Sequence, residues 1–573
     1  MQKLMLECKC KNVNNLLCIQ EVNMKKKIFA CFLSVLMVFG LPVVPSSAST
    51  HSGFDGGDII WSVDIMSGEL VISGSGRMSN YRSYFASADH SKSAPWAEYG
   101  EYVTSVSVGE GITSIGAYAF YGMKRVASVS LPESLDAIGG HAFGGCEQLK
   151  TITVPDSVIS VGNGAFKNCT SLSFVGSLKN VTQWGTDVFG GCASLCEFSF
   201  NPSVTAVPEG MFDGCVSLER IELSVATEEI GQNAFYKCSS LKSISLPVGL
   251  KSLGHYSFAG CSSLGSVVIP ETVDRIYSGV FSGCSSLRTA EIFASVGYIS
   301  NNLFEDCKSL ERVNIPESAA YISNDSFSGC SSLSSITVPG SVERIGSRAF
   351  KDCVSLRSVY LEEGVCYIGA EAFLGCSNID LVSLPASLIC SEYNAFFGCD
   401  SIHTVQIASV ASFCSVTFAG ESANPLAENS LLTVDGSVIT DLVIPEGIKR
   451  VGIFTFECNK YIESVSFPES LEALGQGAFL NCSGLKTVIA SEKNWDFLDI
   501  GSENSSLLSA KVIFRGDVDE DGVITAKDVN ILSKITSGSI SVRAYRFACM
   551  DMDGDGQISL RDHNILKRLI LGF

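Results

Sequence analysis

Phenylalanine recurs at a fixed interval along this chain. Phe120, Phe143, Phe166, Phe189, Phe212, Phe235, Phe258, Phe281, Phe304, Phe327, Phe350, Phe373 and Phe396 stand 23 residues apart, and Phe456 and Phe479 resume the spacing. Chance does not hold one residue type in register over so many periods, and a period of about 20 to 50 residues marks a solenoid. One supersecondary unit per period follows, so dividing 573 residues by the usual domain size gives the wrong count.

A typical unit opens at Leu149 and alternates apolar with polar through Ile152 and Val154, the pattern of a short strand with one buried face. Proline lacks an N–H and ends the strand at one fixed offset, as at Pro132, Pro155, Pro247, Pro270, Pro316, Pro339, Pro385, Pro445 and Pro468. Glycine follows, as at Gly116, Gly139, Gly162, Gly231, Gly254, Gly346, Gly369, Gly452 and Gly475, and is expected to permit a tight turn. The Ala-Phe pair is expected on a short helical or 3₁₀ segment whose ring fills the interior between stacked coils.

Of 23 cysteines, most follow the phenylalanine by three residues, from Cys146 and Cys169 to Cys399, and again at Cys482. Such a cysteine count suggests a disulfide framework, but the spacing argues otherwise. Coils about 4.8 Å apart place parallel thiols beyond the roughly 3.5–4.5 Å Cβ separation of an unstrained bridge. The ladder is expected to consist of buried free thiols. Cys196, Cys366, Cys390, Cys414, Cys458 and Cys549 are off register and left open.

Outside the repeat, Met24, Lys25 to Lys27, the uncharged run Ile28 to Val44 and Ser46-Ser47-Ala48 form the three regions of a secretory signal peptide. Residues 1–48 are set aside, with 24–48 as signal, Met24 as the expected start and a mature chain beginning near Ser49. No transmembrane span is expected once the signal is removed. Residues 49–100 break the period and are expected to cap the first coil with a hairpin, Trp61 and Trp96 packing there. The solenoid runs over 101–515, irregular near 408–443 and closed by a cap containing Trp495. The concave strand positions carry small hydroxyl residues: Thr151 and Thr153, Ser243 and Ser245, Ser335 and Thr337. Arg220, Glu222, Arg312, Asn314 and Tyr360 are larger exceptions, read as scattered, so no recognition cluster is expected.

Residues 516–573 leave the period and repeat one pattern at an offset of 34: Asp517-x-Asp519-x-Asp521-Gly522 to Asp528, and Asp551-x-Asp553-x-Asp555-Gly556 to Asp562. A Ca²⁺ ion takes six to eight oxygens, which a twelve-residue loop supplies from positions 1, 3, 5, 7, 9 and 12. The first set is Asp517, Asp519, Asp521, the Val523 carbonyl, Thr525 and Asp528; the second is Asp551, Asp553, Asp555, the Gln557 carbonyl, Ser559 and Asp562. Each loop opens a helix, no EF-hand helix precedes it, and position 12 is Asp rather than Glu. Two calcium ions in a small all-α module are expected.

The repeat of Leu, strand, Ile-Pro, Ile-Gly, Ala-Phe and Cys resembles the BspA-like leucine-rich repeats, and the paired loops resemble a type I dockerin. The first resemblance implies a solenoid of 23-residue leucine-rich repeats, with short parallel strands and short helical or 3₁₀ segments. The second implies Ca²⁺-dependent folding and binding to the cohesin module of a cellulosome scaffoldin. Its recognition positions fall on Ala526-Lys527 with Ser533-Lys534, and on Leu560-Arg561 with Lys567-Arg568. These differ from the Ser-Thr pair of the best-known dockerins.

Other chemistry finds little support in the sequence. Net charge is −20, and no dense basic tract follows Lys25 to Lys27, so nucleic acid is not an expected partner. Six dispersed histidines form no zinc, triad or phosphate-loop motif. Arg515-Gly516-Asp517 spells an adhesion tripeptide, but Asp517 is committed to the first loop. The expectation is a secreted, noncatalytic binding component, at the cell surface or on a cellulosome, with a solenoid ligand that is protein, cell wall or polysaccharide. The alternative is an accessory carbohydrate-active or proteolysis-related enzyme, or an inhibitor.

Overall fold

The computed structural model describes residues 49–571, except 56, 85–92, 177, 540–548 and 554–556. The signal segment at 24–48 and the Asp555 ligand position lie outside the described residues.

The repeat is a parallel β-solenoid. Most coils contribute one strand after the leucine and a second, two-residue strand at the following apolar position. Successive copies pair in parallel at the 23-residue offset, as Ser335–Val338 does with Ser358–Leu361 and Arg344–Ile345 with Tyr367–Ile368. Apolar side chains of both strands turn inward: Ile336, Val338 and Ile345 are buried, while Ser335, Thr337 and Arg344 face out.

Between the second strand and the next leucine the chain makes consecutive turns rather than the expected helical segment. The cause is two left-handed residues per coil, two before and two after the phenylalanine, such as His141 (φ 54°) and Gly145 (φ 75°). A helix cannot pass through such residues. The turns instead bond to the next coil, with Phe143 N–H to Ala165 O at 2.8 Å and Gly145 N–H to Lys167 O at 2.7 Å.

The repeat glycines after the second strand also act differently from expectation. None of them has positive φ. A Cβ on Gly139 would stand 2.6 Å from Ala117 N and 2.8 Å from Gly116 C, so backbone approach between coils demands the glycine.

The interior is a column of rings. From Phe120 to Phe396, neighbouring phenylalanines stack at 5.0–5.9 Å with planes within 20°. Beside it runs the thiol column. Each ladder cysteine is buried and free, and its Sγ–H donates to the carbonyl of the preceding coil's phenylalanine at 3.0–3.4 Å. Of the off-register cysteines, Cys196, Cys366, Cys390 and Cys414 are free as well.

Trp96 closes the N-terminal end. It is fully buried, stacks on Phe120 at 5.9 Å and donates to Ala119 O at 2.8 Å. Strands Thr50–Phe54, Ile60–Asp64 and Glu69–Ser73 form the cap, the first two pairings antiparallel and the third strand parallel to Ser105–Val108. At the far end the last coil carries helices Glu492–Phe497 and Ser505–Ser509, yet its strand Lys511–Phe514 still pairs with Thr487–Ala490.

Among the described residues, both strand ladders break together at two places. One is the irregular stretch, where the antiparallel hairpin Leu431–Val434 with Ser437–Val438 ends a sheet. The other lies between the coils opening at Leu172 and Leu195: Phe174–Val175 does not pair with Glu197–Ser199, nor Gln183–Trp184 with Ala206–Val207. The sequence explains this step. Interior sites held by Val161, Ile152 and Val154 in a regular coil become Trp184, Phe198 and Phe200, which pack together at 5.0–6.0 Å. Excess volume wedges the strand sides apart. The turn side stays closed through Phe189 N–H to Met211 O at 2.9 Å and Gly191 N–H to Asp213 O at 2.6 Å.

Candidate metal loops and recognition surfaces

The C-terminal module has its own core of Val518, Leu532, Met550 and Leu566 beneath helices Ala526–Thr536 and Leu560–Leu571. Its two loops reproduce one hydrogen-bond pattern at the 34-residue offset. Asp528 Oδ1 accepts from Val518 N–H at 2.7 Å and Asp519 N–H at 3.1 Å, and Oδ2 from Thr525 N–H at 2.8 Å. Asp562 Oδ1 accepts from Met552 N–H at 2.7 Å and Asp553 N–H at 3.3 Å, and Oδ2 from Ser559 N–H at 2.7 Å. Thr525 and Ser559 turn their hydroxyls toward these same carboxylates, at 3.3 and 3.1 Å.

The loops gather carboxylates. Ligand oxygens of Asp517, Asp519 and Asp521 lie within 4.8 Å of one another, as do those of Asp551, Asp553 and Asp562. Asp528 is not brought into the first cluster; Val523 and Gln557 lie exposed on their loops. An anionic, all-oxygen donor set fits a hard divalent cation. The field of each cluster is visible in its neighbours. Lys527 Nζ sits against Asp519 and 3.3 Å from Asp521, and Arg561 Nε lies 2.9 Å from Asp553. The hydrogen bond from Lys527 holds Asp519 below the usual carboxylate range.

The eight positions that the dockerin resemblance assigns to recognition are all exposed: Ala526, Lys527, Ser533, Lys534, Leu560, Arg561, Lys567 and Arg568. No linker separates this module from the solenoid. Strand Lys511–Phe514 is followed directly by Arg515, which is buried, donates to Phe467 O at 3.0 Å and stands 3.8 Å from Glu446. The adhesion tripeptide therefore offers no free arginine. Gly516 N–H donates to Cys549 O at 3.0 Å, Cys549 packs with Ile489 and Ile513, and Lys511 pairs with Glu520 of the first loop at 2.8 Å.

Two features of the solenoid surface correct the expectation that no cluster is present. Arg220 and Glu222 are not scattered: with Phe174, Glu197 and Ser199 they line one depression of about 400 Å³ beside the wedged step. Reading down the 23-residue column finds the missing members, since 174, 197 and 220 are equivalent positions. On the second strands, Tyr298, Tyr321, Arg344 and Tyr367 follow one another in register, with the Arg344 guanidinium 4.6 Å over the Tyr367 ring. Asn314 serves the fold, bonding both N–H and C=O of Ile292 at 2.8 Å. Arg312 and Tyr360 lie elsewhere on the strand face. Trp61 and Trp96 are consumed by cap packing, and Trp495 stacks on Phe467 at 6.4 Å. Among the described residues, no helix is long and apolar enough to cross a membrane.

A sequence profile described as a BspA type leucine rich repeat region of six copies matches residues 98–219, 182–311, 297–424 and 434–504, and one for the dockerin type I domain matches 515–571. No curated protein matches. Among solved structures, a leucine-rich repeat protein from Bacteroides ovatus is 25% identical, with 60% of this chain and 95% of that one covered and a TM-score of 0.48. A leucine rich cell surface protein from Faecalibacterium prausnitzii is 19% identical over 64% and 96%, TM-score 0.34. A leucine-rich repeat protein from Eubacterium ventriosum is 18% identical over 76% and 95%, TM-score 0.29.

Proposed function

Because the chain belongs to the BspA-type leucine-rich repeat family and ends in a type I dockerin domain, we infer that it is a secreted, noncatalytic component that docks onto a cellulosome scaffold and presents its solenoid for ligand recognition. The observation that carries this is the duplicated C-terminal loop. Two carboxylate clusters with one hydrogen-bond pattern at a 34-residue offset suit two Ca²⁺ ions, one for each acidic set. Bound there, the cations neutralise carboxylates that otherwise repel, and metal-binding energy becomes folding energy for the module. The chain's own part is to present recognition residues. Ser533-Lys534 and Lys567-Arg568 lie at equivalent positions of the two helices and are exposed on both, which supports two alternative orientations on a cohesin.

Calorimetry of the full chain against a panel of type I cohesins tests this reading. Binding is expected with Ca²⁺ and lost with chelator, and a stoichiometry of two ions is expected for the metal alone. Metal-independent capture, or no capture by any cohesin, overturns it. Turnover of a polysaccharide or protein, abolished by one solenoid substitution, would overturn the noncatalytic part.

A further inference from the structure

Beside the wedged step the strand face carries Phe174, Glu197, Arg220 and Glu222 over three successive coils in place of small hydroxyl side chains, and these residues line one depression. Among the described residues, strand Phe174–Val175 pairs only with Thr151–Ile152, and Glu197–Ser199 only with Arg220–Glu222, so two strand edges face each other across the opening. Phe174 is 53% exposed there. Arg220, Glu197 and Glu222 are exposed, and none forms an ion pair among the described residues. Their neighbours behave otherwise: Lys242 pairs with Glu219 at 2.8 Å and Lys251 with Glu228 at 2.7 Å, each across one coil.

Three ligand chemistries can be compared on this geometry. An anion meets Arg220 but also two carboxylates. An extended peptide would add to edges only two and three residues long, too short for more than a few backbone bonds. A pyranose ring fits better: its C–H face lies on the exposed Phe174 ring, while vicinal hydroxyls donate to Glu197 and Glu222 and accept from the Arg220 fork. The volume of about 400 Å³ lies within the size of small-ligand sites. We propose that this depression is a binding subsite for a neutral polysaccharide chain, held by Phe174, Glu197, Arg220 and Glu222. The proposal rests on the reading of the solenoid as a recognition surface and names its ligand class.

The test uses the full chain with Ca²⁺, titrated with cellohexaose, xylohexaose and mannohexaose by calorimetry and by tryptophan fluorescence, since Trp184 packs 5.8 Å from Phe198 in the wall. Saturable binding of at least one hexasaccharide is expected. It should weaken at least tenfold in Phe174→Ala and in Arg220→Ala, and be unchanged in Tyr360→Ala, with cohesin capture and thermal midpoint unaltered in all three. Binding of none of the three sugars, or binding that neither substitution weakens, overturns the proposal. A protein ligand lost on Phe174→Ala, with no sugar response, would also overturn it while leaving the solenoid a recognition surface. Loss of cohesin capture alone speaks only to the dockerin.

Discussion

Phe258 shows what one residue does in a stacked array. Its ring is fully buried between Phe235 at 5.0 Å and Phe281 at 5.6 Å. Phe258→Ala should cost about 3–5 kcal/mol, because the rings above and below cannot both close on the void; a urea midpoint measured by near-ultraviolet dichroism checks it. The neighbouring thiols predict a pH dependence. Burial pushes Cys169, Cys284 and Cys482 up to about 12, against an unfolded value of about 8.5. A raised folded value means that the stability is whole below about pH 8.5 and is lost progressively as the pH climbs toward the folded value. Urea midpoints should therefore fall between pH 8 and 10, and native thiols should resist disulfide reagents at pH 8 until the chain unfolds. In the metal-free module the sign reverses: the Asp519–Lys527 pair persists above about pH 4 and is lost on acidification. Rings and thiols were legible in the sequence because one period sets one environment. Phe174 and Glu197 were missed because their meaning comes from the coils beside them rather than from their own.

The coil is the smallest element, and its regularity made most of the fold readable: alternation gave the first strand, and proline gave its end. The turn was misread as helical because left-handed conformation is carried by ordinary residues such as His141, Asp187 and Arg348, which do not advertise it. The second strand escaped notice for a similar reason, since two residues are too few to show a period. The wedge was hidden because overpacking is a sum over Trp184, Phe198 and Phe200 from two coils. Restoring Trp184→Val, Phe198→Ile and Phe200→Val together should join the ladders across this step. Amide exchange at 173–176 and 196–199 should slow at least tenfold; unchanged exchange would show that the aromatic side chains do not hold the step open.

At the scale of the whole molecule, the junction joins the metal loops to the solenoid. Lys511 and Glu520 link the last strand to the first loop, and Arg515 ties the chain between them to Phe467. Removing Ca²⁺ should therefore loosen more than the C-terminal module: exchange protection over 499–514 should fall on chelation and be little changed at 335–361. Arg515→Ala should produce the first effect with metal present. The direct junction was not legible in the sequence, because a buried arginine is announced by its partners alone. The wedged step adds a mechanical property. A chain anchored by its C-terminal end and holding a fibre near Phe174 is pulled along the stack. At regular steps that tension must separate both strand ladders and a turn seam at once. Between the coils of Leu172 and Leu195 it meets only the seam through Asp187, Phe189 and Gly191. Force should open this step before the regular steps on either side of it and spread the walls that grip the ligand, a fuse that releases the load before the adjoining coils unravel.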